Sequence, residues 1–367
     1  MYGRWVTVNK KTKKTLITLG AILTAFVLVL VGYLSYVLIS YSRIEDKTVL
    51  IIENSAEQSL INLDKDYTII TQNIGFGAYT SDFTFFMDGG EESWAESEES
   101  VKECVDAAIT KIKTYNPDFI LFQEVDTDST RSYHINEKDI INSAFYGYTS
   151  VFANNYHSAF LFWPPFEPHG ASNSGMITLS KFQFVSSIRR SLPISEGLSK
   201  FLDLDRCYSV SRAMVEGGKE LVVYNVHSSA YGINDEIRTA QMKMLFADME
   251  SEYKKGNYVI CGGDFNHDFT GDSTQKLNGI STAEYGWAHP FPDDLLPECF
   301  VKCTNYTSDT LTPTCRNCDL PYGENCQTFI VDGFIISDNI TVSYLENVKT
   351  EFVYSDHNPV VMKFKLN

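Results

Sequence analysis

The sequence predicts an α+β sandwich, two packed sheets with helices outside, preceded by one transmembrane helix. Three observations predict it. Short β-rich runs greatly outnumber stretches with helical periodicity. Some of those runs are apolar without alternation, as strands buried on both faces are. Most polar clusters fall where such runs end, which suits sheets packed face to face with helices on the outside.

The first element is apolar. No charged residue occurs from Thr15 to Ser42, and Leu16–Tyr41 is long enough to cross roughly 30 Å of hydrocarbon as a helix. Arg4, Lys10, Lys11, Lys13 and Lys14 precede it, and Arg43, Glu45, Asp46 and Lys47 follow. That asymmetry predicts a cytoplasmic N-terminus and an extracellular body on a single-pass protein of the cell membrane. A cleaved signal peptide is the rival reading, but the stretch exceeds a usual h-region and lacks an obvious Ala-x-Ala site. The expected layout is therefore a basic cytoplasmic segment at 1–15, a span at 16–42, a linker at 43–65 and one folded domain at 66–367.

Within the domain, Tyr67–Asn73 has strand composition and stops at Gly75 and Gly77. Val101, Val105, Ala108, Ile109 and Ile112 recur at helical spacing. Asn116-Pro117 ends that helix. Phe119–Phe122 is a continuous apolar run, the pattern of a doubly buried strand. Trp163-Pro164-Pro165-Phe166-Glu167-Pro168-His169 cannot be a regular central strand, because its prolines lack donors. Ser174–Leu179 and Leu221–His227 read as strands. Ile237, Ala240, Met244 and Phe246–Met249 fit a helix, and Tyr258–Cys261 a strand closed by Gly262-Gly263. Phe329–Ile336 reads as a strand pair or one long strand, and Val360–Leu366 closes the set.

Charge and cysteines bound the function. Residues 1–43 contain six of the 30 basic residues and none of the 47 acidic ones, which leaves a net charge of −23 on 44–367. Such a body is repelled by polyanions, which argues against a nonspecific nucleic-acid binder. Cys104, Cys207 and Cys261 read as small buried hydrophobes. Cys299, Cys303, Cys315, Cys318 and Cys326 crowd into a segment, 298–328, that reads as an insertion. In an exported domain the first reading is a local disulfide framework. A small zinc site is the second, because Cys315-x-x-Cys318 has ligand spacing, and free thiols are the third.

The chemistry lies in clusters at strand ends. Glu124 follows four apolar residues and one glutamine. A carboxylate there must be solvated, hydrogen-bonded or bound to a cation. Hard divalent cations use few carboxylates, and Glu124 with the Asn73 amide suits one; a turn-capping carboxylate is the other reading. Asp264 and Asn266 share a face if extended, placing a water-orienting acid beside a donor. An Asx-turn accounts for the same residues. His227 ends an apolar strand. His357 follows Asp356, and Asp332 offers a second carboxylate to fix its tautomer. His134, His157, His169, His267 and His289 have no such company and are expected on the surface or in loops.

Five short motifs occur in order: Gln72-Asn73-Ile74-Gly75, Phe122-Gln123-Glu124-Val125, Asn225-Val226-His227-Ser228, Gly263-Asp264-Phe265-Asn266 and Ser355-Asp356-His357. Over roughly 65–367 the chain resembles the endonuclease/exonuclease/phosphatase (DNase I-like) superfamily. The resemblance implies a four-layer α/β/β/α sandwich. It implies Mg²⁺ or Mn²⁺ held by Glu124, with Asn73 and Asp356 as further metal ligands. Asp264 would orient or activate water, Asn266 and His227 would contact phosphoryl oxygens or the leaving group, and His357, held by Asp332, would stabilise the transition state or move a proton. Arg212 matches a position that is often basic, for which phosphate binding and a surface ion pair are both open. Gly333 departs from the family, which usually carries a larger residue after the Asp.

These expectations describe a membrane-anchored, metal-dependent phosphoric ester hydrolase. Its substrate would be a lipid, inositol or sugar phosphate, with a phosphodiesterase or phosphatase activity. An extracellular nuclease acting on DNA is the alternative. A non-catalytic surface protein of the same fold is the second alternative, and it predicts broken motifs that the sequence does not show.

Overall fold

The computed structural model describes residues 9–54, 56–197, 200, 205–230, 235–279, 287–307 and 311–367. The chain divides into two units, 1–42 and 43–367. The first contains α1 (Lys10–Ser40), whose start is capped by the Asn9 side chain accepting from the Lys11 N–H. Among the described residues it is the one helix long and apolar enough to cross a membrane. It begins within the expected basic segment, of which residues 1–8 lie outside the described residues.

The second unit begins with two short strands, β1 (Thr48–Val49) and β2 (Ile52–Glu53), followed by β3 (Tyr67–Asn73). Next come α2 (Glu98–Lys113), β4 (Phe119–Asp126) and α3 (Glu137–Ala144). Then follow β5 (Thr149–His157), β6 (Asn173–Ser180), β7 (Phe184–Ser191), β8 (Cys207–Met214) and β9 (Glu220–His227). After α4 (Asp235–Lys254) come β10 (Tyr258–Asp264), α5 (Ser273–Asn278), β11 (Phe300–Lys302), β12 (Cys315–Arg316), β13 (Thr328–Phe329), β14 (Asp332–Ser337), β15 (Ile340–Asn347) and β16 (Val360–Leu366).

Two seven-stranded sheets result. One has the order β15-β16-β3-β4-β6-β5-β2, the other β1-β7-β8-β9-β10-β14-β11. Each contains one parallel pair: β3 beside β4, joined through α2, and β9 beside β10, joined through α4. Strand alternation explains the layering. Phe119 and Leu121 point between the sheets, against Val223, Ile260, Phe334 and Met362, while Ile120 and Phe122 meet Val101, Val105 and Ile109 of α2. On the other sheet, Val222, Tyr224 and Val259 meet Leu245 and Met249 of α4. The order is helix, sheet, sheet, helix. The unbroken apolar run Phe119–Phe122 follows directly, since both its faces are covered.

Several expectations need correction. The segment 43–65 is part of the domain, not a linker. The Arg43 guanidinium donates to the Leu192 carbonyl, β1 pairs with β7, β2 with β5, and Ile61 is fully buried. Its short strands sit at sheet edges, where one face stays wet and the pattern is weak. The expected insertion 298–328 is likewise not separate, because β11 pairs with β14 in the main sheet. All eight cysteines are free thiols. Cys303 packs between the sheets, 3.8 Å from the Met362 sulfur, as a small hydrophobe. Phe329–Ile336 splits at Ile330-Val331, with β13 paired to β12 and β14 to β10. Gly333, the departure noted above, sits opposite Gly263, and a Cβ there would come within 2.6 Å of the Phe269 ring, which fills the space.

Candidate active site

The candidate residues sit where the layer between the sheets runs out of apolar side chains. Ile69, Thr71 and Asn73 share one face of β3. Leu221, Val223, Asn225 and His227 share one face of β9, as do Ile260, Gly262 and Asp264 on β10. Asp332, Phe334 and Ile336 do so on β14. Register brings the polar ends to one rim, since Asp264 pairs with both His227 and Asp332. That rim is the C-terminal edge of both parallel pairs, where open α/β sheets place their ligands. Gly263 makes the close pairing feasible: its φ is 143°, and a Cβ would lie 2.0 Å from the Val226 carbonyl oxygen.

Glu124 reaches the rim by a different device. In a regular strand it would follow Phe122 onto the helix-covered face. The pairing of β4 with β6 slips between Phe122 and Val125, and Glu124 adopts φ 53°. This bulge re-aims the carboxylate into an open cleft. Beneath it, the Gln123 amide donates to Asn225 Oδ1 at 2.7 Å, and Asn225 donates to the Phe122 and Ile177 carbonyls. This bridge locks the two sheets together directly under the site.

The cleft groups are tightly connected. Asn73 Nδ2 lies 3.2 Å from both Glu124 Oε1 and Asp264 Oδ2. Its Oδ1 accepts from the Gly75 N–H at 3.0 Å, so the amide turns its donors, not its oxygen, toward the carboxylates. His227 Nε2 is 3.5 Å from Asp264 Oδ2 and 3.8 Å from Glu124 Oε1. Asn155 Nδ2 faces His227 Nδ1 at 3.4 Å, an arrangement that favours the tautomer with its proton on Nε2. His357 Nδ1 meets Asp332 Oδ2 at 2.8 Å, and its Nε2 lies 3.9 Å from Asp264 and from Asp356. Ser355 Oγ accepts from the His357 N–H and donates to the Asn73 carbonyl. Asn266 spends its amide on the Ser228 carbonyl, and its N–H caps Asp264 Oδ1 at 2.8 Å.

Burial sets the electrostatics. Desolvation raises the Asp264 carboxyl well above its usual range, and Asp332 adds to the rise. Burial, reinforced by the Glu124 charge, pushes Asp356 up to about 6. Burial depresses His227, with Arg206 and His357 acting the same way, so it is neutral. Burial also opposes the charge on His357, but Asp332, Cys315 and Asp356 outweigh it and raise the imidazole well above its usual range. Asp332 Oδ1 is a buried acceptor without a donor. Among the described residues, the ion pairs of these carboxylates are to His227 and His357 only. Glu124, Asp264, Asp332 and Asp356 thus form an oxygen-rich cluster short of positive charge, a donor set suited to a hard cation.

Residues 70–322 match the Endonuclease/Exonuclease/phosphatase family. The chain belongs to this family. Its members are hydrolases of phosphate esters. The fold is similar to that of an endonuclease/exonuclease/phosphatase family protein from Leptotrichia buccalis C-1013-b, with 14% identity over 82% of this chain and 100% of that one (TM-score 0.53). It is also similar to ANGEL2, a 2',3'-cyclic phosphatase, with 16% identity over 89% of this chain and 99% of that one (TM-score 0.51). A third similar fold is the endonuclease/exonuclease/phosphatase from Beutenbergia cavernae DSM 12333, with 16% identity over 83% of this chain and 72% of that one (TM-score 0.50). No curated protein matches the sequence.

Within this member of the family, Asn73, Glu124, His227, Asp264, Asn266, Asp332, Asp356 and His357 come together, and Arg212 does not. Arg212 lies away from the cleft, donating to Glu220 at 2.9 Å and pairing with Glu252 at 2.6 Å. Its phosphate-binding reading is replaced by the ion pair. Of the other five histidines, His134, His169, His267 and His289 lie in turns or loops as expected, while His157 ends strand β5. His157 pairs with Asp205, His134 with Asp128 and His289 with Asp235. His169 and His267 are buried, and His169 lines the cleft.

The basic residues of the cleft escaped the sequence reading. Arg131, Arg206 and Arg316 all line it. Arg131 holds Asp126 through Nε at 3.0 Å and Nη2 at 2.9 Å, with its guanidinium 3.7 Å above the Phe76 ring. Arg316 Nη2 donates to the Thr80 and Phe83 carbonyls. None sits in one of the five motifs; Arg206 precedes β8 and Arg316 ends the two-residue β12, and neither short signal marks a phosphate-facing cation in the sequence. Cys315 and Asn317 line the same wall, which places part of the cysteine-rich segment beside His357.

Proposed function

We propose that the chain is a membrane-anchored, divalent-cation-dependent hydrolase that cleaves a phosphate ester of a lipid, inositol or sugar. The reading rests above all on the convergence of Glu124, Asp264, His227 and the Asp332–His357 pair in one cleft. Glu124 and Asp356 would hold Mg²⁺ or Mn²⁺, with Asn73 steadying Glu124. Asp264, Asp332 and His357 also bring one ligand atom each within 4.8 Å of one another. The Asp332–His357 hydrogen bond already occupies the facing atoms of that pair, and Asp264 is held by Asn73 and the Asn266 N–H, so the cation is assigned to Glu124 and Asp356. When bound, the cation supplies Lewis acidity and neutralises charge on the phosphate.

The remaining work falls to the chain's own residues. Asp264, fixed by Asn73 and the Asn266 N–H, orients a water for attack and accepts its proton. His227 points its Nε2–H at the same place and donates to a phosphoryl oxygen. His357, aligned by Asp332, presents Nε2 to the charge that develops in the transition state. The arginines of the cleft let an acidic protein receive an anion.

A nuclease is the second reading, favoured by those same arginines. The net charge of −23 on 44–367 and the apolar helix α1 favour a small or membrane-bound ester. The test is turnover by the purified full chain, with Mg²⁺ or Mn²⁺, of DNA, phospholipids, inositol phosphates and sugar phosphates. Hydrolysis confined to the last three classes is expected. Strong DNA cleavage without the others reverses the ranking, and no turnover of any of them supports a binding protein of the same fold.

A further inference from the structure

The connection from β5 to β6 leaves the rim of the cleft and carries three exposed aromatic rings. Its stem is well ordered by hydrogen bonds. The Ser158 N–H donates to the Ser172 carbonyl at 2.9 Å, and Leu161 and Gly170 exchange two backbone bonds at 3.0 and 3.1 Å. Near the tip, the His169 N–H donates to the Trp163 carbonyl, and Trp94 Nε1 donates to the Pro168 carbonyl at 2.8 Å. Pro164, Pro165 and Pro168 restrict the backbone further. On this fixed frame Phe162 is 61%, Trp163 70% and Phe166 100% exposed. Single exposed apolar residues need no explanation, but three bulky rings on one rigid tip mark an interaction surface.

We propose that this tip inserts into a zwitterionic lipid surface and presents the cleft to phosphate esters in the headgroup layer. The proposal rests on the functional reading above and names the physical state of the substrate. Charge decides the occupant. Residues 158–166 carry no charged side chain. Glu167 follows them and is drawn back to the Ser93 N–H. With a net charge of −23 on 44–367, an anionic surface is repelled, and nothing basic at the tip offsets that. Tryptophan and phenylalanine without adjacent lysine suit a neutral interface, where an amphipathic ring sits at headgroup depth. The chain also carries α1, long and apolar enough to cross a membrane, just upstream of this domain in sequence.

The position of the loop gives the insertion a consequence. Tyr156 and His169, at its two feet, line the cleft, and His169 packs beside Phe85 and Phe86. Met87, on the same wall, is itself partly exposed. A tip buried among lipid headgroups therefore brings the mouth of the cleft to the depth of their phosphates.

The test uses the full chain reconstituted into phosphatidylcholine vesicles containing lipids brominated on the acyl chain. In a Trp5→Phe background, which removes the tryptophan close in sequence to α1, quenching of tryptophan emission is expected, with most of the quenched component lost on adding Trp163→Phe and retained on adding Trp94→Phe. Replacing a fifth of the phosphatidylcholine by phosphatidylserine is expected to weaken it. No quenching, or equal quenching in Trp163→Phe, overturns the proposal whether or not the protein is a hydrolase. A dimer in detergent that is lost in Phe162→Ser/Phe166→Ser, without quenching in vesicles, overturns it in favour of a second copy of the chain. Where turnover is measurable, the double variant should lose about tenfold on a vesicle-borne ester, the scale of lost orientation, and nothing on a water-soluble one. Equal losses on both would place the rings in catalysis or folding and overturn the docking role.

Discussion

Two acidic clusters on the same sheet behave in opposite ways. Near one end of β8 and β9, Glu220 and Glu252 share Arg212, and Lys255 and the Asn257 amide complete the shell around Glu252. At the opposite rim, Asp264 and Asp332 lie with Glu124 and Asp356 around two histidines. Burial opposes ionisation in both. At Glu252 the bonds from Arg212 and Lys255 win, and the carboxyl falls to about 2. At Asp356 nothing of that strength is available, and it rises to about 6. The difference teaches that a buried acid compensated inside the fold is structural. A group of acids left uncompensated at a strand-end cleft is waiting for charge from outside the chain.

The largest expected effect separates the clusters by activity. Glu124→Ala, Asp264→Ala and His357→Ala should each lower kcat/KM on a phosphate ester on the order of 10²–10³-fold, the usual cost of one transition-state group. Arg212→Ala should leave it within about twofold, since surface and second-site changes act mainly on stability. A loss at Arg212 as large as that at Glu124 would break the distinction.

Cation dependence comes next. Chelation should abolish turnover, and Mg²⁺ or Mn²⁺ should restore it. The same cations should raise the thermal midpoint, by about 2.7 kcal/mol of stabilisation at a hundredfold excess over Kd. Glu124→Ala with Asp356→Ala should remove that rise, whereas Glu252→Gln should keep it. Calorimetry with and without the cation reads both.

The smallest effect is on folding and its pH dependence. Arg212→Ala should destabilise by about 2 kcal/mol, the scale of charged hydrogen bonds to a partly buried group. The sign of the pH effect follows from the direction of each shift. Glu252 has a folded value below its ordinary 4.5, so its contribution is present above about 4.5 and fades as pH falls toward about 2. Asp356 is raised, so without a cation its cost appears as pH rises from about 4 to about 6 and persists above. Denaturant midpoints between pH 2 and 8 should therefore show a shallower acid limb in Glu252→Gln and a shallower neutral decline in Asp356→Asn.

Much of this was legible before any coordinates. The doubly buried runs announced the central strands, and the five ordered motifs marked their polar ends. Edge elements were not legible. The segment 43–65 contributes two-residue strands whose side chains are mostly exposed, so no burial pattern identified them. The cysteine-rich stretch also misled, because thiols crowded in sequence are dispersed in space. Cys303 faces the layer between the sheets, while Cys315 lies by His357. Arg212 fitted a family position, yet its partners Glu220 and Glu252 come from the neighbouring strand and from α4.

Residue order alone set the layers, because alternation and helical spacing are local and each residue's neighbours fix which face it presents. It also determined the list of reactive groups, since Asn73, Glu124, His227, Asp264, Asp332 and His357 all stand at or beside strand ends. How charge is shared among them emerged only in the folded chain. That depends on which distant side chains arrive within 3 or 4 Å, as Asp332 does at His357 and Arg212 does at Glu252. Folding also decided that Phe162, Trp163 and Phe166 stand outside the core. Exposure is a property of what packs on a residue, and that is set by the fold rather than by the residue's neighbours in sequence.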